Sequence, residues 1–303
     1  MADYNKYLDP DVLARISRLE LRARTIVEGF VSGMHKSPYQ GYSVEFAAHR
    51  EYVPGDDIRH IDWRLFGRAD RLYIKQYEEE TNLRTHVLLD CSRSMAYPEH
   101  TRGWRNKYDY AATLAASLIH LLVNQQDTCG LVLFDDDIRE QIAPSSRTAQ
   151  LYAMIEAIER HPPNGATEVR AVFGRLAEQL RQRGLVVLIS DLLGNLGDLL
   201  DGLQRLRYAG HDVIVLHVLD DEELTFPFDG NTMFEGLEPP PGELLVDPQA
   251  LRTSYLAILG DFINRVRSAC MGHKIDYHLL STHDPLEASL TAYLAARMHR
   301  TSR

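Results

Sequence analysis

Apolar and polar positions follow two recurring patterns from residue 84 onward. Short apolar runs such as THVLLD end in an acid or a polar residue, which is typical of buried parallel strands. Longer segments carry apolar residues at helical spacing. The predicted strands are 85–90, 129–134, 185–190, 213–219 and 275–280, with an edge strand near 138–142. The predicted helices are 109–124, 150–160, 167–183, one ending at 209, 249–272 and 285–297. This alternation predicts an α/β fold with a doubly wound, mostly parallel sheet.

The first 83 residues have a different pattern. Residues 10–30 show helical spacing, whereas residues 37–77 are rich in aromatic, charged and turn residues with only short apolar runs. We therefore predict a helix and two or three strands, forming a small N-terminal α+β motif region that packs on the larger domain because it lacks a core of its own. The predicted domains are residues 1–83 and 84–303, the second with a proline-containing insertion at about 221–247.

Composition narrows the classes of partner and location. The chain has 303 residues, is 45% hydrophobic and carries a formal net charge of -10, which disfavours nucleic acid and anionic membranes as partners. No run approaches the roughly 18 to 20 apolar residues of a membrane span, and the polar start MADYNKYLDP predicts no signal peptide. Cys91, Cys129 and Cys270 show neither metal spacing nor a disulfide framework. We expect a cytoplasmic protein.

Candidate metal chemistry begins directly after the first predicted strand of the larger domain. There the segment DCSRS places Asp90, Ser92 and Ser94 at alternate positions, so that their side chains can converge above the strand end. Carboxylate and hydroxyl oxygens suit a magnesium-like ion. Alone, the pentapeptide is equally typical of turn and helix-capping residues. Thr167, in a loop before a helix, and Asp191, at the end of a second buried strand, can reach the same crevice and favour a metal site.

This set of residues resembles the metal-ion-dependent adhesion site of von Willebrand factor A domains. The resemblance implies that Ser92 and Ser94 bind Mg²⁺, or another divalent cation such as Mn²⁺ or Ca²⁺, directly. Thr167 would bind directly or through water, and Asp90 and Asp191 mainly through water and hydrogen bonds. The chain departs from that pattern next to two of these residues: Glu168 follows Thr167 where Asp is expected, and Leu192 follows Asp191 where Gly is common.

A second resemblance covers residues 33–297. The segment HREYVPGDDIRHIDWRLFGRADRLYIKQYEEE, the later RGLVVLISDLL and FEGLE, and YLAAR near the C-terminus are similar to the domain of unknown function 58 family. That family joins such a motif region to an A-type domain, and its members occur beside MoxR-type AAA+ ATPases. The resemblance implies a non-enzymatic, metal-dependent adaptor of such an ATPase in assembly or maturation of other proteins. A carboxylate of the ATPase or its client would complete the metal site, and the expected partner-binding residues are Arg93, Glu168, Asp56, Asp57, Arg59 and His60.

Alternative interpretations concern individual residues. In GDDIRHIDW, His60 with Asp56 or Asp62 could perform acid–base chemistry, although an ordered loop of paired charges explains the segment as well. Cys91 could be redox-active or a small buried side chain. Trp63 could be an interface anchor, but we expect it to pack under the motif loop.

The alternative function is a metal-dependent hydrolase or phosphatase that uses Asp90. A haloacid-dehalogenase nucleophile would need a second acid where Ser92 stands. No phosphate-binding loop, dinucleotide fingerprint or nucleophile elbow occurs in the sequence. We therefore expect no enzymatic activity.

Overall fold

The structure is a computed structural model. It describes residues 45–53, 63–69, 71–78, 84–98, 106–124, 126–165, 169–180, 182–237 and 242–286. The predicted helices at 10–30 and 285–297 lie outside these residues, apart from the first two positions of the second. No helix in the described ranges is both long and apolar enough to cross a membrane.

The described elements alternate as the sequence predicts. The strands are β1 (Glu45–Glu51), β2 (Tyr73–Glu78), β3 (Arg84–Asp90), β4 (Thr128–Phe134), β5 (Ile138–Ser145), β6 (Leu185–Ser190), β7 (Asp212–Leu219), β8 (Thr232–Glu235), β9 (Glu243–Val246) and β10 (Asp276–Ser281). The helices are α1 (Trp63–Ala69), α2 (Lys107–Asn124), α3 (Thr148–Arg160), α4 (Val169–Gln179), α5 (Leu196–Tyr208), α6 (Asp221–Thr225) and α7 (Pro248–Gly272), and a 3₁₀ turn covers Arg93–Ala96.

The main sheet has six strands in the described residues, in the order β10-β7-β6-β3-β4-β5. The first five strands in that order pair in parallel, whereas the edge strand β5 pairs antiparallel with β4. β3 and β6 lie side by side in the middle, so the residues that follow them emerge at the same edge. The predicted doubly wound α/β fold is thereby confirmed.

Two apolar clusters cover the two faces of this sheet. Residues of α2 and α3 pack on one face, and residues of α4, α5 and α7 pack on the other. Because both faces are covered, central strands are apolar along their whole length: every residue of β6 is buried, as are the last six of β3. Four alanines of α2 are fully buried, which brings this helix close to the sheet. The rigid core thus fixes where the loops at the carboxyl edge begin.

The N-terminal region and the insertion each contribute a two-stranded antiparallel sheet. β1 pairs with β2 and α1 lies between them in sequence, in agreement with the predicted α+β motif region. The docking of this region on the larger domain stays a prediction. The insertion, for which the sequence predicted no regular element, contains α6 and the hairpin β8–β9.

Candidate metal centre

Asp90 is the last residue of β3 and is fully buried at the carboxyl edge of the sheet. Its Oδ1 accepts a hydrogen bond from the Ser92 backbone N–H at 2.8 Å, and its Oδ2 accepts one from the Ser190 hydroxyl at 2.5 Å. Burial, together with the nearby charge of Asp191, raises the pKa of Asp90 to about 7 against the opposing hydrogen bonds from Ser190 and Ser92. No cationic side chain among the described residues forms an ion pair with this carboxylate, since Lys107 nearby pairs with Asp191 and Glu223.

Ser92 and Ser94 lie in the turn that leaves β3, at the start of the 3₁₀ segment. Both are buried, and their Oγ atoms are 3.1 Å apart. Arg93, between them, is exposed. The alternation predicted from D-x-S-x-S therefore exists: the two hydroxyls meet on the inner side of the turn, while the intervening side chain faces solvent.

Backbone hydrogen bonds hold this turn from two sides. Cys91 N–H donates to the Phe134 carbonyl at 2.7 Å, which ties the turn to the end of β4. Asn164 N–H donates to the Cys91 carbonyl at 2.8 Å, and Arg93 N–H donates to the Gly165 carbonyl at 3.0 Å. Gly165 adopts a φ of 83°, in the left-handed region that glycine reaches without strain. The loop that leads towards the candidate ligand Thr167 thus lies directly against the serine turn.

Several predicted site residues lie outside the described ranges. They are the candidate ligand Thr167 and the candidate partner-binding residues Glu168, Asp56, Asp57, Arg59 and His60.

Asp191 follows β6 and is also fully buried. Its Oδ1 accepts a hydrogen bond from the Leu193 backbone N–H at 3.1 Å. Leu192, where the resemblance led us to expect Gly, has a φ of 56° and is 2% exposed. A left-handed conformation costs a side chain with a Cβ about 1 to 2 kcal/mol. The chain therefore has Leu in place of Gly at position 192, but its backbone there still adopts the left-handed conformation that Gly would favour.

His217, on β7, supports the backbone of Asp191. Its Nε2 is 2.8 Å from the Asp191 carbonyl, and its Nδ1 is 2.7 Å from the Tyr277 hydroxyl. Burial lowers the pKa of His217 to about 4 although Asp191 opposes this change, so the ring is neutral at pH 7. A neutral ring that donates through Nε2 accepts through Nδ1, which matches both partners.

Lys107 contacts the candidate site, and the sequence analysis missed it. It opens α2, is fully buried, and its Nζ lies 2.8 Å from Asp191 Oδ2 and 2.8 Å from Glu223 Oε1. Glu223 also accepts from the Asp220 backbone N–H and so completes a capping box on α6. A lysine in the first turn of a helix opposes the helix dipole and suggests a specific acidic partner, but the predicted helix began at residue 109 and so left Lys107 outside it.

These donors fit a hard divalent cation. Two buried hydroxyls and two buried carboxylates meet at one strand edge, and Asp90 is left with an uncompensated charge. Within the described ranges no group of three or more His, Cys, Asp or Glu side chains could hold a metal, so a metal at this edge would depend on the serine hydroxyls. Such oxygen ligands are those that Mg²⁺ and Ca²⁺ prefer.

Two further residues can be compared with their predicted roles. Cys91 is 1% exposed, and burial raises the pKa of its thiol well above the usual range, which matches the small buried side chain and disfavours a reactive thiolate. The prediction that Trp63 packs under the motif loop is wrong: its side chain is 63% exposed and contacts Phe66, one helical turn away, edge to face.

Comparisons with known proteins identify the chain's relatives. The family model described as "Protein of unknown function DUF58" matches residues 48–259. The uncharacterized protein Rv1480 of Mycobacterium tuberculosis is 26% identical over 253 residues, which cover 82% of this chain and 77% of that protein.

Two solved structures are also similar. They are BatB from Bacteroides thetaiotaomicron (14% identity, 72% of this chain, 99% of that chain, TM-score 0.45) and the SpRpn10 VWA domain (14% identity, 70% of this chain, 94% of that chain, TM-score 0.41). Both scores are below 0.5, and neither structure assigns a function to this chain.

Proposed function

The chain belongs to the DUF58 family, and on that basis we propose that it is a non-enzymatic protein-binding module whose grip depends on a divalent cation. The cation would be Mg²⁺ or a similar ion, held by Asp90, Ser92, Ser94, Thr167 and Asp191. The partner would be a MoxR-type AAA+ ATPase or its client, bound through an Asp or Glu carboxylate in the cytoplasm. A bound ion supplies the positive charge that such a carboxylate needs.

The observation that carries this proposal is the charge imbalance at Asp90. Burial and the neighbouring charge of Asp191 make the ionised form of Asp90 costly, and both raise its pKa to about 7. A cation beside Ser92 and Ser94 would remove that cost. Because both hydroxyls are neutral, they would leave most of the charge of the ion available to an external ligand. Arg93, exposed in the same turn, is positioned at the surface where a partner would approach.

The hydrolase alternative receives no support from the geometry of Asp90. Both of its carboxylate oxygens already accept hydrogen bonds, and the side chain is fully buried. A nucleophile or general base must reach the substrate directly. We therefore expect no phosphatase or ATPase activity from the purified protein.

The test is calorimetric titration of a MoxR-type ATPase from the same organism onto the full chain, in Mg²⁺ and then in chelator. Binding should require Mg²⁺ and should be lost in Asp90→Ala and in Ser92→Ala combined with Ser94→Ala. Loss of a buried charged contact at an interface costs roughly 2 to 5 kcal/mol, which is about 30- to 5,000-fold in affinity.

Asp136→Ala is the matched control, because Asp136 is an exposed acid that follows β4 at the same edge of the sheet. It should leave the affinity unchanged. Affinity that ignores both the chelator and Asp90→Ala would show that this edge is not the partner site.

A further inference from the structure

Lys107 connects the candidate metal centre to α6. Its ammonium lies between Asp191 Oδ2 and Glu223 Oε1 at equal distances of 2.8 Å, and its side chain is 1% exposed. Two ion pairs surround this buried ammonium with negative charge, so Lys107 is a buried cation next to one of the proposed metal ligands.

The charges of Asp90, Lys107 and the two acids paired with Lys107 can be added. Asp90, Asp191 and Glu223 are three acids, and Lys107 is the one base paired with any of them among the described residues. When all four are ionised, the group has a net charge of two negative. The Lys107 ammonium donates hydrogen bonds to Asp191 and Glu223 and, among the described residues, none to Asp90. An ion therefore has two negative charges to balance, that of Asp90 and the one that Lys107 leaves on the Asp191–Glu223 pair.

We propose that Lys107 tunes the charge of the metal centre: by offsetting one of the two negative charges of Asp191 and Glu223, it makes the centre with a bound divalent ion neutral instead of negative, so that a partner's carboxylate can bind the ion. This inference rests on the proposed metal-dependent function. It makes Lys107 a positioning residue that acts through Asp191. It also explains why a buried lysine stands at the start of α2, where the helix dipole opposes a positive charge.

Charge tuning and simple structural support predict different results when Lys107 is replaced. If Lys107 only holds the Asp191 side chain in position, its loss weakens binding of the ion and of the partner's carboxylate together. If it tunes the charge, its loss exposes the ion to more negative charge. The ion then binds more tightly, and the carboxylate binds less tightly. A neighbouring charge at this range changes proton affinity by about ten- to a thousandfold, so we expect at least about a tenfold effect in each direction.

The experiment uses the full chain with Mn²⁺ as the metal probe and acetate as the carboxylate probe. Electron paramagnetic resonance of free Mn²⁺ gives the metal affinity. Paramagnetic broadening of acetate by the Mn²⁺-loaded protein gives carboxylate binding, and acetamide serves as the neutral control of the same shape. Lys107→Met should bind Mn²⁺ about tenfold or more tightly and acetate correspondingly less. The double variant Lys107→Met with Glu223→Gln restores the net charge and should return both affinities towards wild type.

Glu223→Gln alone gives an independent test that retains Lys107. Glutamine can still complete the capping box, and loss of the acid should weaken Mn²⁺ binding while strengthening acetate binding. Changes of both affinities in the same direction, or no change, in Lys107→Met or Glu223→Gln would overturn the role of Lys107 and leave the metal centre standing. Equal Mn²⁺ binding in wild type and Asp90→Ala would overturn the metal centre itself, and the role of Lys107 with it.

Discussion

Asp90→Asn should stabilise the protein in chelator at pH 8 and abolish its stabilisation by Mg²⁺. Asparagine keeps the size of the side chain, an oxygen that can accept from Ser92 N–H and an amide that can reach the Ser190 hydroxyl. What it removes is a fully buried charge that has no cation beside it among the described residues. A substitution at a proposed ligand would thus improve stability without metal and remove the response to metal.

The magnitude follows from the pKa of Asp90, which is raised from 3.8 to about 7. Each whole unit is worth 1.36 kcal/mol, so ionisation of Asp90 costs the folded state at most about 4 kcal/mol. Below pH ~4 the carboxyl is protonated in both states and this cost is absent. Between about pH 4 and pH 7 the unfolded state has lost this proton while the folded state still holds it, so stability falls as pH rises and levels off above about pH 7. We expect Asp90→Asn to raise the free energy of unfolding by about 1 to 3 kcal/mol at pH 8. The gain is smaller than the full cost because the buried charge of Asp191 remains in the variant.

Urea unfolding of both proteins from pH 5 to 8, in chelator and in Mg²⁺, measures the effect. His86 and His217 have pKa values lowered to about 4, chiefly by burial, and make stability rise with pH up to about 6.5. Both histidines are unchanged in the variant, so their contribution cancels in the difference. In Mg²⁺ at ten times its Kd, wild type should gain about 1.4 kcal/mol and the variant nothing. Parallel pH curves for the two proteins in chelator would refute the reasoning.

Two pairs of substitutions test the backbone conformation next to Asp191 and the packing of α5 on α4. Leu192→Gly and Leu192→Ala both remove a buried side chain. Because residue 192 has a φ of 56°, the Gly variant should be more stable than the Ala variant by about 1 kcal/mol. Equal stabilities in urea unfolding would contradict backbone strain at this residue. Gly202→Ala should destabilise the protein by about 1 to 3 kcal/mol, because the new Cβ would lie 2.5 Å from Phe173 Cδ2. Gly174→Ala should stabilise it by about 0.5 to 1 kcal/mol, because a Cβ there would have nothing within 4 Å. Calorimetric melting of both variants measures the two effects.

The positions of Asp90 and Asp191 could be predicted because both follow continuous apolar runs, and such runs become neighbouring central strands in a parallel sheet. Their hydrogen-bond partners could not be predicted. Ser190 reads as an ordinary strand end, yet its hydroxyl donates to Asp90 across 100 positions of sequence. The pairing of Lys107 with Glu223 depends on where α2 begins and on how α6 is placed after β7, and neither leaves a periodic signal.

The insertion shows a second limit of predicting structure from hydrophobic patterns. β8 and β9 have four residues each, too few for an alternation to stand out from the surrounding turn residues. Phe226, Phe228 and Phe234 pack against one another there, and Tyr255 of α7 packs on Phe226. The sequence showed these aromatics without showing that they meet, because ring contacts between separate elements depend on tertiary packing.

The serine turn also has a consequence for how recognition by this protein could evolve. Its shape is maintained by main-chain hydrogen bonds to Phe134, Asn164 and Gly165, which do not depend on the side chain at position 93. Arg93 points outward while its two neighbours point inward. Mutations at this one position can therefore change charge, length or shape at the surface without disturbing the inner oxygens. A descendant of this chain could acquire a new partner through substitutions at Arg93 while the proposed metal ligands Ser92 and Ser94 stay the same.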